Sequence, residues 1–153
     1  MNEFQETYRV PVTVTLSDGT SVEGEIHLQT GSALHEGGET AVEMLNRPER
    51  FFAVSFPSGD VALLCKAQVA VVTCEADLWQ ADPERLLISK KFLLDVSVIG
   101  GKRICGSAYW ELPSTHPRPQ DFLNSPETFF EITEEGNVHC VNRTLVTLVN
   151  PLD

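Results

Sequence analysis

Positive charge is scarce in this chain. Its 11 Lys+Arg face 22 Asp+Glu, which leaves a formal net charge of -11 and a pI near 4.7. A negative potential therefore covers most of the surface, and phosphate-rich partners meet repulsion before contact, which disfavours nucleic acid and anionic membrane. Long apolar runs are missing too, since none approaches the roughly 18 residues of a membrane span. The opening residues Met1, Asn2, Glu3, Phe4, Gln5 and Glu6 have neither the basic start nor the apolar stretch of a secretory signal. The expected setting is the cytoplasm. Cysteine is sparse and unpatterned: Cys65, Cys74, Cys105 and Cys140 form no CxxC pair. That argues against a zinc site or a disulfide framework and for reduced, packed thiols. No glycine-rich phosphate loop and no serine elbow is present. What the chain does have is 42% hydrophobic residues over 153 positions, enough to bury a core and to exclude a disordered or fibrous chain.

The chain also repeats itself. Leu45, Asn46, Arg47, Pro48, Glu49, Arg50, Phe51 and Phe52 return as Leu123, Asn124, Ser125, Pro126, Glu127, Thr128, Phe129 and Phe130. The correspondence runs for roughly sixty residues, as in a duplicated structural unit. Upstream, Val14, Gly19, Val22 and Gly24 fall on Val96, Gly101, Ile104 and Gly106; downstream, Gly59, Val61, Lys66, Val69 and Val72 fall on Gly136, Val138, Arg143, Val146 and Val149. The cysteines have no repeat-matched partners, because Cys65 aligns with Asn142, Cys140 with Leu63 and Cys105 with Glu23.

Within the first copy, Val10, Val12, Val14 and Leu16 alternate with polar residues or proline, the period of a strand with one buried face. Asp18-Gly19 turns the chain, and Val22, Gly24, Ile26 and Leu28 continue it outward as a hairpin. The second copy uses Val96, Val98, the Gly100-Gly101 turn, Ile104, Gly106, Ala108 and Trp110. Glycine in mid-strand at Gly24 and again at Gly106 marks a bend or a close backbone approach. Thr40 to Glu43 matches a helix capping box, Asn46 and Asn124 suit a left-handed residue closing a short helix, and Pro48 and Pro126 stop it. Three short strands follow in each copy: 51–56, 61–65 and 69–73, then 129–134, 138–141 and 145–149. Between the copies, Asp82-Pro83-Glu84-Arg85 reads as a helix start, with Leu78, Trp79, Leu86 and Leu87 packed against the strands.

The pattern V-x-V-x-L-x-D-G-x-x-V-x-G, followed by G-x-V, Lys66 or Arg143 and a closing strand, resembles the small bent barrels of the Sm-like and SH3-like type. It is also similar to an uncharacterised bacterial family with a leucine-asparagine helix end, an aromatic strand and a closing segment represented here by Cys65-Lys66 and Asn142-Arg143. The resemblance implies an all-β fold with short helices: two tandem, duplicated, five-stranded bent barrels related by a pseudo-two-fold. Residues 1–74 would form the first barrel, 75–89 a linker with a helical turn, and 90–153 the second. Such motifs specify a fold and not a chemistry. No RNA-binding residues carry over, because a helix replaces the nucleotide-contacting turn. The PilZ arginine motif is not met either, because Arg47 and Arg50 have the wrong spacing.

Candidate reactive groups are few. His27, His35, His116 and His139 lack metal-ligand spacing, and His139 and Cys140, as strand neighbours, point to opposite faces. Glu49 and Glu127 recur just past a helix, where a carboxylate accepts amide hydrogen bonds, while Glu131, Glu134 and Glu135 read as a solvated edge. No metal, cofactor or catalytic group is expected. The paired phenylalanines carry more information. Phe52, Val54 and Phe56 share one strand face, as do Phe130 and Ile132, and should line the cores. Phe51 and Phe129 must face the other way, although burying each would stabilise by roughly 1.5 to 3 kcal/mol. Either each is covered by its own short helix through Met44 or Phe122, or they join the barrels or bind a partner. The expected function is a non-catalytic protein–protein interaction or assembly module, with oligomerisation open to it. The alternative is a small-molecule or nucleotide sensor using Arg47, Arg50, Lys66, Arg103 and Arg143 in a cleft between barrels.

Overall fold

Alternating apolar residues and glycine turns place the strands where the sequence pattern predicts them. The computed structural model describes residues 6–32, 34, 35, 37–77, 80, 82–111 and 117–152. In chain order these form β1 (Thr7–Leu16), β2 (Ser21–Gln29), α1 (Ala41–Leu45), β3 (Phe51–Ser55), β4 (Val61–Cys65) and β5 (Val69–Glu75). After α2 (Pro83–Leu87) come β6 (Ser89–Val98), β7 (Arg103–Glu111), α3 (Pro119–Leu123), β8 (Phe129–Glu134), β9 (Asn137–Asn142) and β10 (Val146–Pro151). A 3₁₀ turn joins β4 to β5 at Lys66–Gln68 and β9 to β10 at Arg143–Leu145. The order of elements in β1 to β5 is thus the order in β6 to β10.

Local signals set several of these boundaries. Thr40 caps α1 and accepts from the Glu43 amide, while the Glu43 carboxylate accepts from the Thr40 amide. Asp82 caps α2 ahead of Pro83. Asn46 closes α1 with φ -87 and ψ -3, so the expected left-handed conformation is not adopted, and its side chain is used elsewhere. Gly24 and Gly106 lie where the sheet bends. A Cβ on Gly106 would stand 2.4 Å from the Thr133 carbonyl oxygen, and one on Gly24 would stand 2.7 Å from that of Ser55. Only glycine lets β2 and β7 approach their neighbours this closely. Pairing across those bends is brief, with β2 meeting β3 at Glu25–Ser55 and Ile26–Val54, and β7 meeting β8 at Ser107–Thr133.

All strands belong to one antiparallel sheet with the order β10-β6-β7-β8-β9-β5-β1-β2-β3-β4. The five strands of each half are neighbours in this order, and one continuous, open sheet runs through both halves. Glu75 completes β5 and Ser89 opens β6. Leu87 is exposed, against the packing expected of it, whereas Leu86 is half-buried on α2, which lies against β6 and is tied to β7 by the Arg85–Glu111 ion pair (2.5 Å). Leu78, Trp79 and His116 lie outside the described residues. The halves join through β5 and β9, in the register Val72–Cys140 and Cys74–Val138. A two-fold would require the same pairing between β10 and β4, which is not made; the junction is one-sided.

Side chains alternate across the shared strands and feed two cores. Val72, Cys74, Val138, Cys140 and Phe129 join Val14, Ile26, Leu45, Phe52 and Val54 in one cluster. Ala70, Val71 and Val141 join Phe92, Leu94, Ile104, Phe122, Phe130 and Ile132 in the other. Phe52 and Phe130 therefore line separate cores, as their strand faces predict. Among the described residues no helix is long and apolar enough to cross a membrane.

Candidate interaction surface

The junction shows how this fold treats a strand edge that finds a partner. Phe129 is 1% exposed and packs into the first core, the cluster that also holds Met44. Asn46, at the end of α1, reaches across: its Nδ2 donates to the Phe129 carbonyl (3.1 Å) and its Oδ1 accepts from the Phe129 amide (2.8 Å). Asn142 seals the other end. Its Nδ2 donates to the carbonyls of Val69 (3.0 Å) and Lys66 (3.2 Å), and its Oδ1 accepts from the Thr144 amide (3.0 Å). Every polar group of that buried side chain is satisfied, as burial demands.

Among the described residues, the two ends of the sheet are the counterparts of this junction left unpaired. β4 corresponds to β9, and β10 to β5. Where Val138 and Cys140 are each 0% exposed, Val61 and Leu63 are 60% and 69% exposed; where Phe129 is 1% exposed, Phe51 is 55%. On the other edge, Leu148 is 56% exposed where Val71 is 0%. Large apolar side chains standing together beside unpaired backbone are the features by which a sheet edge accepts another strand. The backbone direction is also determined. The Asp60 carbonyl accepts from the Phe56 amide and the Lys66 amide donates to Arg50, so those residues face β3, and by strand alternation Val61, Leu63 and Cys65 face outward. The Leu152 amide donates to Leu93 on β6, so Val149 and Pro151 face outward from β10.

Of the four residues expected at an interface, the structure brings Phe129 and Met44 together at the junction. Phe122 lies in the second core, its ring 5.6 Å from that of Phe130 and 5.9 Å from those of Phe92 and Trp110. Phe51 stays uncovered. Neither paired phenylalanine is covered by its own helix, because Phe129 is taken up by the core of the other half and Phe51 has no such half beside it. The residues that sequence reasoning missed are Val61, Leu63 and Leu148. Their counterparts are apolar as well, and nothing local distinguishes an edge strand from an internal one.

The five cations of the alternative ligand site do not converge. Lys66 is buried, and its Nζ donates to the carbonyls of Met44 (2.9 Å) and Arg47 (3.1 Å), closing the end of α1; burial pulls its ammonium below the ordinary value despite Glu49 nearby. Arg143 does the same for α3, donating to Phe122 and Leu123 (2.9 Å each) with its guanidinium 4.7 Å from the Phe130 ring centre. Arg47 pairs with Glu39 (2.9 Å) and Glu49 (3.1 Å), and Arg103 pairs with Asp95 on the neighbouring strand. Arg50 is exposed. A pocket beside Arg47 and Lys66 encloses about 110 Å³, less than the roughly 300 Å³ from which small-molecule sites begin. A larger open cleft of about 570 Å³ is rimmed by Glu23, Glu25 and Glu75, a poor match for phosphate.

Several of the remaining titratable groups are bonded within the fold. His139 bridges strands, with Nδ1 2.8 Å from Thr73 Oγ1 and Nε2 3.2 Å from Glu134. His27 meets Ser55 (2.7 Å) and His35 meets Glu43 (2.7 Å). Among the described residues no three His, Cys, Asp or Glu side chains are grouped to hold a metal ion. All four cysteines are free; burial pushes the Cys74 thiol up to about 12 and that of Cys140 well above its usual value, which disfavours the thiolate form of both. Burial also raises Glu131, against a hydrogen bond from Gln80. Comparison with protein-family models, with curated proteins and with solved structures finds no match for this chain.

Proposed function

We propose that this chain is a non-catalytic interaction and assembly module that takes up a β-strand of a protein partner along β4. In this reading it consists of two consecutive, curled five-strand units of the Sm-like and SH3-like kind, sharing strands where they meet, in the reducing cytoplasm. One observation carries the proposal: Phe51, Val61 and Leu63 stand exposed beside the outward-facing backbone of β4, at the positions that are buried where the same edge is paired. The alternative of a nucleotide sensor finds less support, because Lys66 and Arg143 are committed to helix ends and the larger cleft has an acidic rim.

Residue-resolved amide exchange tests the reading. In the dilute chain the amides of Val61 and Leu63 should exchange fast, and those of Ala62 and Leu64, which face β3, slowly. Adding a synthetic peptide of alternating valine and threonine should slow Val61 and Leu63 selectively. If the peptide leaves those amides unprotected, β4 is not a strand-accepting edge and the proposal fails.

A further inference from the structure

The structure names a partner for that edge. We infer that the strand β4 receives is β10 of a second copy of this chain, joined head to tail in the geometry of the β5–β9 junction. The inference rests on the strand-addition reading of β4 and adds the identity of the strand.

Three features of β10 carry it. The first is register. Transferring the junction pairs Val72–Cys140 and Cys74–Val138 to their counterparts sets Val149 against Leu63 and Pro151 against Val61. All four face outward from their edges, so the backbones meet in bonding orientation. Pro151 withholds one amide, which leaves three of the four hydrogen bonds that these two pairs would otherwise make. The second is shape. β5 bulges at Ala70, where its register against β1 shifts, and β10 bulges at the corresponding Thr147 against β6; the two strands bend alike. The third is a pair of unused groups. Asn46 holds the Phe129 backbone across the junction, whereas its counterpart Asn124 is exposed and, among the described residues, its side chain donates only to the Gln120 carbonyl within its own helix. Phe51, the counterpart of Phe129, is exposed on β3. Docking β10 on β4 would bring Asn124 of one copy to Phe51 of the next, and would cover Leu148 and Leu63 in the same step.

Such a contact is heterologous. Each copy keeps one edge free, so assembly continues into a closed ring or an open filament according to the angle between copies.

Edge complementation tests this. Leu63→Lys places a charge on β4 and Leu148→Lys on β10, both at exposed positions where folding tolerates it. In sedimentation across a dilution series, the wild-type chain should form species beyond a dimer and each variant should stay monomeric. An equimolar mixture of the two variants should form a one-to-one complex and stop there, because it retains one intact pair of edges. Asn124→Ala should weaken the wild-type association about tenfold, with the unfolding midpoint of the dilute monomer unchanged. The inference is overturned if the wild-type chain stays monomeric throughout, if either variant alone still self-associates, or if the mixture forms no complex. If the wild-type chain stays monomeric while the valine–threonine peptide still protects Val61 and Leu63, the second copy is excluded and strand addition stands. If the peptide also fails, both readings fall.

Discussion

Replacing Asn46 by alanine should destabilise the fold far more than replacing Asn124, although the two occupy corresponding positions. In Asn46→Ala the Phe129 amide and carbonyl each lose the side-chain partner they now bond, next to a ring that is 1% exposed. An unsatisfied buried backbone group costs about 1 to 3 kcal/mol. Partial entry of water reduces the sum, so the expected loss is about 3 kcal/mol, which for a chain of this size lowers the unfolding midpoint by roughly 6 to 12 °C. Asn124→Ala removes one exposed bond within its own helix, and should stay within about 0.5 kcal/mol. Asn46→Asp separates the two bonds, since it keeps the acceptor and turns the donor into an oxygen facing a carbonyl. It should fall nearer to alanine than to the native chain. The assay is thermal unfolding followed by circular dichroism in dilute solution, with urea denaturation as a second measure. Equal losses for Asn46→Ala and Asn124→Ala would show that the junction does not hold the halves in the way described.

Other expectations follow from the same geometry. Phe129→Ala should cost about 3 to 5 kcal/mol by opening a cavity in the first core, and Phe51→Ala should cost little in dilute solution; urea midpoints compare them, and similar losses would refute the edge assignment. Gly106→Ala should unfold at a markedly lower temperature, because its Cβ would meet a backbone oxygen at 2.4 Å; an unchanged midpoint would mean that β7 and β8 can separate freely. Glu131 is raised by burial above its ordinary 4.5. Its contribution is therefore complete below that value and is lost as pH rises through the folded pKa. Glu131→Gln should accordingly gain stability over the native chain as pH rises toward neutrality, and a difference that is flat with pH would contradict the burial argument. Sodium chloride should strengthen self-association, since copies carrying a net charge of -11 repel one another until screened; light scattering over a salt series would show the opposite trend if attraction between charges drove assembly.

The glycine positions illustrate how much of the fold was legible. A residue without Cβ in mid-strand, met twice at the same place in the repeat, indicates a tight crossing wherever the neighbouring strand comes from. The capping box from Thr40 to Glu43 and the Asp82-Pro83 start are likewise complete within a few residues, and both are found. Asn46 shows where such reading stops. It does end a helix, but its side chain serves Phe129, which is remote in sequence, and a helix-end preference contains no information about that partner. The candidate cations show a related limit. Lys66 and Arg143 recur, and each binds the carbonyl end of a helix in its own half, a contact that their recurrence in sequence does not reveal.

By itself, then, the order of residues determined the strands, their turns, the helix caps and the inward side of each strand, because alternation, glycine turns and capping are settled within one turn or one hairpin. Only the tertiary structure decided that β5 pairs with β9, that Phe129 is buried while Phe51 is not, and that β4 and β10 lie at the ends. Two strands of equal apolar character acquire opposite surroundings when a sheet must end somewhere, and where it ends depends on pairings between residues far apart in the chain.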